Sequence, residues 1–268
     1  MHRWLALLIG FAVMALAIEP ALAADQAAGP RTRVKAMDDP NIQALRQLFA
    51  TPENRLDLAR AKVAIDRMID PAIDEAATLK QLDELATSIR NRFPAGASSR
   101  AKLDVLLSSL YRPGPWNDHR PFSYDLSDPL GTAIRNKLLS TYLTTRKGNC
   151  VSMPILVMLL GQKLGLDVTL ATAPLHVLVK FQGDDGQWIN VETTSGGFKQ
   201  DASYQREMGI TPLAMTNQIY LRPLSKRESL GVIASTLMEH YGDINRQNHR
   251  IQVANLALEA NLLTSVQN

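Results

Sequence analysis

The chain has 268 residues, with 29 Lys+Arg against 26 Asp+Glu, a net charge of +3. So small a surplus makes no electrostatic case for nucleic acid or an anionic membrane, and no block of about five or six like charges forms a charged tail. Hydrophobic residues make up 46% and charged residues 21%, which excludes a disordered chain and fits one domain with extensions or two small ones. The single cysteine, Cys150, rules out an intramolecular disulfide and a Cys-rich zinc or iron–sulfur site. With five histidines and no HExxH spacing, neither a metal nor a cofactor is expected.

Residues 1–23 read as a secretory signal. His2 and Arg3 give a basic start, Trp4 to Ile18 an apolar run, Pro20 a helix break, and Ala21-Leu22-Ala23 the small-x-small cleavage pattern. The run is shorter than the ~20 residues of a membrane span. The expectation is a periplasmic or secreted protein with no membrane span after cleavage; the alternative is an uncleaved N-terminal anchor. Residues 24–40, with Gly29, Pro30 and the basic Arg31, Arg33 and Lys35, read as a flexible lead-in.

From residue 41 to 111 the pattern is helical. Leu56, Ala59, Val63 and Ile65 share a face that stops before Pro71; Ile73, Leu79, Leu82, Leu85 and Ile89 continue the 3–4 spacing to Phe93-Pro94. Ser98 or Ser99 can cap a third helix carrying Leu103, Leu106, Leu107 and Leu110. Residues 112–224 are the expected core. It opens on a long loop (112–130) rich in proline, with Trp116, Phe122 and Tyr124 as anchors, either a packed crossover or one wall of a cleft.

A helix is expected over Thr132–Thr144, a turn at Lys147-Gly148-Asn149, and a strongly apolar helix over Val151–Leu164, closed by Gly165. The period then switches to two, giving strands Asp167–Ala173, His176–Phe181 and Gln187–Thr193, the last two joined at Gly183-Asp184-Asp185-Gly186. Asp184 and Asp185 are turn formers with too few oxygen ligands nearby for calcium. Residues 225–268 return to helix in a helix–Gly–helix layout like one tetratricopeptide-type unit. One unit cannot stand alone, so it should dock on the core or on a protein partner.

Val177, Val179 and Phe181 alternate on one strand, Ile189 and Val191 on the next. If both apolar faces enter the core, even positions share the other face, and these include His176 and Glu192. One register of that parity sets His176 opposite Glu192, with Cβ atoms ~5 Å apart. Asn190 and Trp188 share that face, as cleft lining or as cover. Cys150 follows a tight turn at a helix start, where free N–H groups and the positive end of the helix dipole favour a thiolate. Pro154 cannot donate to the Cys150 carbonyl, so the first turn loosens or the helix begins a residue or two later. A thiol, an imidazole and a carboxylate so arranged form a nucleophile–base–orienter set.

Each residue also has a plainer account. A lone Cys by an apolar helix is commonly an inert buried thiol, His176 a satisfied structural histidine, Glu192 a strand-end acid. A spare thiol in an oxidising compartment nevertheless calls for a reason. His119, His240 and His249 receive no role.

The segments RKGNCVSMPILVMLLGQKLGLDV (Arg146–Val168), APLHVLVKF (Ala173–Phe181) and WINVETTSGG (Trp188–Gly197) resemble the core of the transglutaminase-like superfamily. The resemblance spans roughly Leu103 to Gly197. It implies an α+β, papain-like fold: a Cys-bearing helix packed on a small antiparallel sheet, with a helical N-terminal segment and a helical-hairpin tail. By chain order it makes Cys150 the nucleophile, His176 the base and Glu192 the third member. Helical segments before and after the core are similar to the bacterial branch with trailing tetratricopeptide repeats. Glu192 departs from the family's usual Asp by one methylene. Some members of that branch lack the Cys, which this chain has. The expected function is an exported thiol acyl-transfer enzyme, a peptidase, amidase or crosslinker, acting on a protein or peptide. The alternative is an inactive scaffold of the same fold that binds a protein partner through the C-terminal helices.

Overall fold

The computed structural model describes residues 39–266. The signal segment and nearly all of the lead-in lie outside the described residues.

Four helices come first, each started by the residue type that helix ends require. Asp39 accepts the Asn41 N–H ahead of α1 (Pro40–Ala50), and Asp57 accepts those of Ala59 and Arg60 ahead of α2 (Leu58–Ile69). Asp74 caps α3 (Glu75–Arg90) and Ser98 caps α4 (Ser99–Tyr111). Each cap satisfies N–H groups that have no partner inside the helix. Their apolar stripes bury Ile42 and Leu45, Val63 and Ile65, Leu82 and Ile89, and Leu103 and Leu106.

The expected helix over 132–144 is interrupted. A 3₁₀ turn spans Ile134–Lys137, and α5 runs from Leu139 to Thr145. Carboxylates from elsewhere cause the break. Asp128 takes the N–H groups of Thr132 and Ala133, and Asp66 of α2 takes that of Leu139 at 2.8 Å. Asp66 is fully buried with Lys62, whose ammonium also donates to the Lys137 carbonyl at 2.8 Å. This pair pins the start of α5 onto α2.

Helix α6 (Ser152–Lys163) is buried on every side from Ser152 to Gly161, as its unbroken apolar sequence requires. It packs on a four-stranded antiparallel sheet in the order β3 (Val168–Ala173), β4 (His176–Gln182), β5 (Trp188–Glu192), β6 (Gly197–Phe198). Val168, Leu170, Val179, Phe181 and Val191 join the main core with α6. A short parallel pair, β1 (Ser123–Tyr124) with β2 (Lys147–Gly148), ties the proline-rich segment to the turn before Cys150.

Strands β4 and β5 keep the expected parity and shift in register. Val179 faces Val191 and Lys180 faces Asn190, so Glu192 is diagonal to His176 rather than directly opposite. A slip of two leaves the same side chains in the core, so the apolar pattern does not distinguish the two ladders.

The sheet's second face is covered by α7 (Asp201–Met208) and α8 (Pro212–Thr216), over a small cluster of Ala171, Ala173, Leu178, Tyr204, Ile210 and Leu221. Helix α9 (Lys226–Asp243) starts with a reciprocal Ser225–Glu228 cap and packs on α2 and β3; α10 (Gln247–Val266) packs on α9 and α1. Leu230, Ile233, Leu237 and Val253 share the main core with Ile42 and Leu45. No helix among the described residues is long and apolar enough to cross a membrane.

Candidate active site

Cys150 sits in the turn between β2 and α6, half-buried. Gly148 makes the turn feasible: a Cβ there would lie 2.6 Å from both Ser152 Oγ and a Tyr142 ring carbon. Pro154 leaves the Cys150 carbonyl without its helical donor, and the helix begins at Ser152.

The helix start differs from expectation in one respect. The amide oxygen of Asn149 accepts the N–H groups of Val151 (3.0 Å) and Ser152 (3.1 Å), and Ser152 Oγ accepts the Asn149 N–H at 3.0 Å. These first-turn donors therefore serve Asn149, not the thiol. The Asn-x-x-Ser spacing was the signal for this cap. Among the described residues the Cys150 N–H donates to no backbone acceptor.

His176 opens β4. Its Nε2 meets Glu192 Oε2 at 2.8 Å, with side chains 12% and 9% exposed. The diagonal offset explains the glutamate, because the additional methylene helps a carboxylate reach a ring one step away along the ladder. Glu192 is held on all sides. Thr194 donates to Oε1 through its N–H (3.1 Å) and hydroxyl (2.6 Å), and Tyr204 donates its hydroxyl to Oε2 at 2.6 Å.

Neither Thr194 nor Tyr204 was expected to act here. Thr194 is an ordinary i,i+2 turn donor, visible in principle once Glu192 is singled out. Tyr204 comes from α7, which is anchored where Asp201 receives Lys180 Nζ (3.3 Å) and Asn190 Nδ2 (2.6 Å). Asn190 thus holds the cover onto the sheet. Trp188 borders a surface groove with Arg100 and Phe198.

Cys150 and Glu192 both bear on the His176 imidazole. Burial pulls the imidazole's pKa down, but Cys150 and Glu192 beside it outweigh burial and bring it to about 9. Burial pushes the Glu192 carboxyl up, yet His176, Thr194 and Tyr204 prevail and hold it at about 2. With Nε2 on the carboxylate, the ring's other nitrogen, Nδ1, is the one left for sulfur. Tyr124 also stands near Cys150; burial first, then Cys150 and Asp128, push its hydroxyl's pKa up.

A pH effect follows. An unfolded histidine titrates near 6.5, so between about pH 6.5 and 9 the folded protein retains a proton that the unfolded chain releases. The His176 contribution to stability should therefore fall as pH rises through that window, by on the order of 2 kcal/mol. Urea unfolding at pH 6 and pH 9 measures it. A His176→Gln variant should lose most of the difference; an equal loss in both proteins assigns the effect to other groups.

A family model of the transglutaminase-like superfamily matches residues 76–234. The chain belongs to this superfamily. No curated protein and no solved structure gives a match. The superfamily match extends beyond the motif segments at both ends, taking in nearly all of α3 and the first half of α9. Its core here is thus continuous with the flanking helices, which share one hydrophobic interior with it. Of the site residues expected for the superfamily, His176 and Glu192 are in direct contact, and Cys150 contributes to raising the pKa of the His176 ring. Among the described residues no group of three or more His, Cys, Asp or Glu side chains is arranged to hold a metal ion.

Proposed function

We propose that this protein is an exported thiol enzyme that transfers acyl groups from peptide-like amides or esters. The reading rests on one observation: His176 is hydrogen-bonded to a carboxylate that is itself fully hydrogen-bonded, in a site where Cys150 also raises the imidazole's pKa. Superfamily membership supports it, and the leader-like segment supports export.

The Cys150 thiolate is the nucleophile. It adds to the substrate carbonyl, and the carbonyl oxygen becomes an oxyanion that the Cys150 N–H can receive; one such donor contributes about 3 kcal/mol. The carbon–nitrogen bond breaks as His176 gives its proton to the departing amine, leaving a thioester on Cys150. Water or a second amine then attacks the thioester and returns a proton to His176, and the carbon–sulfur bond breaks, releasing the acid or new amide and restoring the Cys150 thiolate. Glu192 stays ionised throughout, keeping the ring oriented and its cation stabilised.

The test uses p-nitrophenyl acetate. A burst of p-nitrophenolate with an acetyl group on Cys150, removable by hydroxylamine, is the expected result, absent in Cys150→Ala. Folded protein that acquires no acetyl group on Cys150 over many probe half-lives would refute the enzymatic reading.

A further inference from the structure

The turn that delivers His176 carries an anomaly. Ala173 pairs with His176, so Pro174 and Leu175 alone make the β3–β4 turn. Proline fixes φ near −65° at the first position, and Leu175 has φ +56° at the second. This is the pattern of a type II turn, whose second position belongs to glycine or asparagine. A leucine there sits in the left-handed region that such side chains rarely occupy. It gains no packing in exchange, for Leu175 is 99% exposed. An apolar side chain that is both backbone-strained and fully solvated, one residue from the imidazole, has no account in folding.

The cysteine side shows a matching feature. Leu126 and Leu130 are 83% and 70% exposed on the loop that follows β1. That loop is built onto the nucleophile's turn. The Asp125 N–H binds the Gly148 carbonyl at 2.8 Å, and Tyr124, beside Cys150, donates to the Pro129 carbonyl at 3.2 Å. Gly131, at φ +63°, rests on the Asn149 side chain, which a Cβ there would meet at 3.3 Å. The loop is therefore fixed in place, and its two leucines face water without a partner among the described residues. Strain and exposure concentrate at functional sites because a ligand, not the fold, supplies the compensation.

We infer that Leu175, next to His176 in the chain, and Leu126 and Leu130, on the loop bound to the turn before Cys150, form an apolar rim that selects acyl donors bearing an apolar side chain next to the reacting carbonyl. The inference rests on the thiol-enzyme reading and adds a substrate class to it. Leu175 is the specificity-determining position, and the turn presents it so that the substrate's side chain covers it on binding.

The experiment compares two peptide chloromethyl ketones, one with leucine and one with serine beside the ketone. In each, the thiolate displaces chloride and a carbon–sulfur bond forms. Rates are normalised to those with free cysteine. The parent protein should favour the leucyl probe by roughly tenfold, the usual scale for an apolar contact of this size. Leu175→Gly and Leu175→Asn suit the turn better than leucine, so both variants should fold, with unfolding midpoints no lower than the parent's. Both should bring the preference close to one, whereas Leu258→Ser, on exposed α10, should keep it. A preference unchanged in both Leu175 variants overturns the rim and leaves the enzyme standing. Failure of Cys150 in the folded parent to react with either probe or with iodoacetamide overturns the enzymatic reading, and the rim with it.

Discussion

Replacing His176 with alanine is expected to slow iodoacetamide labelling of native Cys150 at pH 7 by about tenfold or more. Cys150 is among the groups that raise the imidazole's pKa, and at about 9 the ring is cationic at neutral pH. A cation beside sulfur favours thiolate, the reactive form. Without it that electrostatic support is lost. The difference should therefore shrink as pH rises toward 9, where the imidazolium itself loses its proton. Glu192→Gln should move the profile in the same direction and less far, because it removes the charge that holds the imidazolium but leaves a ring next to the sulfur. Labelling rates across pH 5–9, followed by mass spectrometry, give both curves. Identical profiles for parent and His176→Ala would show that ring and thiol do not communicate.

The second large effect lies away from the site. Asp66→Ala should destabilise the fold by about 3–5 kcal/mol, the usual consequence of stranding one member of a buried ion pair. Lys62 is completely buried and would keep only the Lys137 carbonyl as partner, while the Leu139 N–H would lose its acceptor. Lys62→Met combined with Asp66→Leu removes both charges and should recover much of the loss. Denaturant midpoints for the single and double variants decide the matter. A single variant within about 1 kcal/mol of the parent would mean that water reaches the site. The pair bears indirectly on chemistry, since α5 leads straight into the turn that carries Cys150.

Much of the site was legible because its ingredients are local. Proline 154 delays a helix, a small-residue turn precedes the cysteine, and strand parity alone puts an imidazole and a carboxylate on one side of a hairpin. Parity cannot count steps along the ladder, however. Both registers bury the same valines, so the choice between opposite and diagonal fell to contacts that parity does not describe. The expected helix over 132–144 failed for a related reason. Its spacing is helical, but Asp128 and Asp66 compete for the N–H groups on which continuity depends. Strand β6 and helix α7 were missed because a two-residue strand and a mean polarity carry almost no periodic signal.

Helix starts, the sheet's inward face and the candidate residues Cys150, His176 and Glu192 were thus legible in the chain, since capping, alternation and backbone sterics act over a few residues. The diagonal register, the Tyr204 and Thr194 bonds that hold Glu192, and the Lys62–Asp66 anchor emerged only on folding. Each depends on where a distant segment comes to rest, and that is set by how the whole core packs rather than by any local pattern.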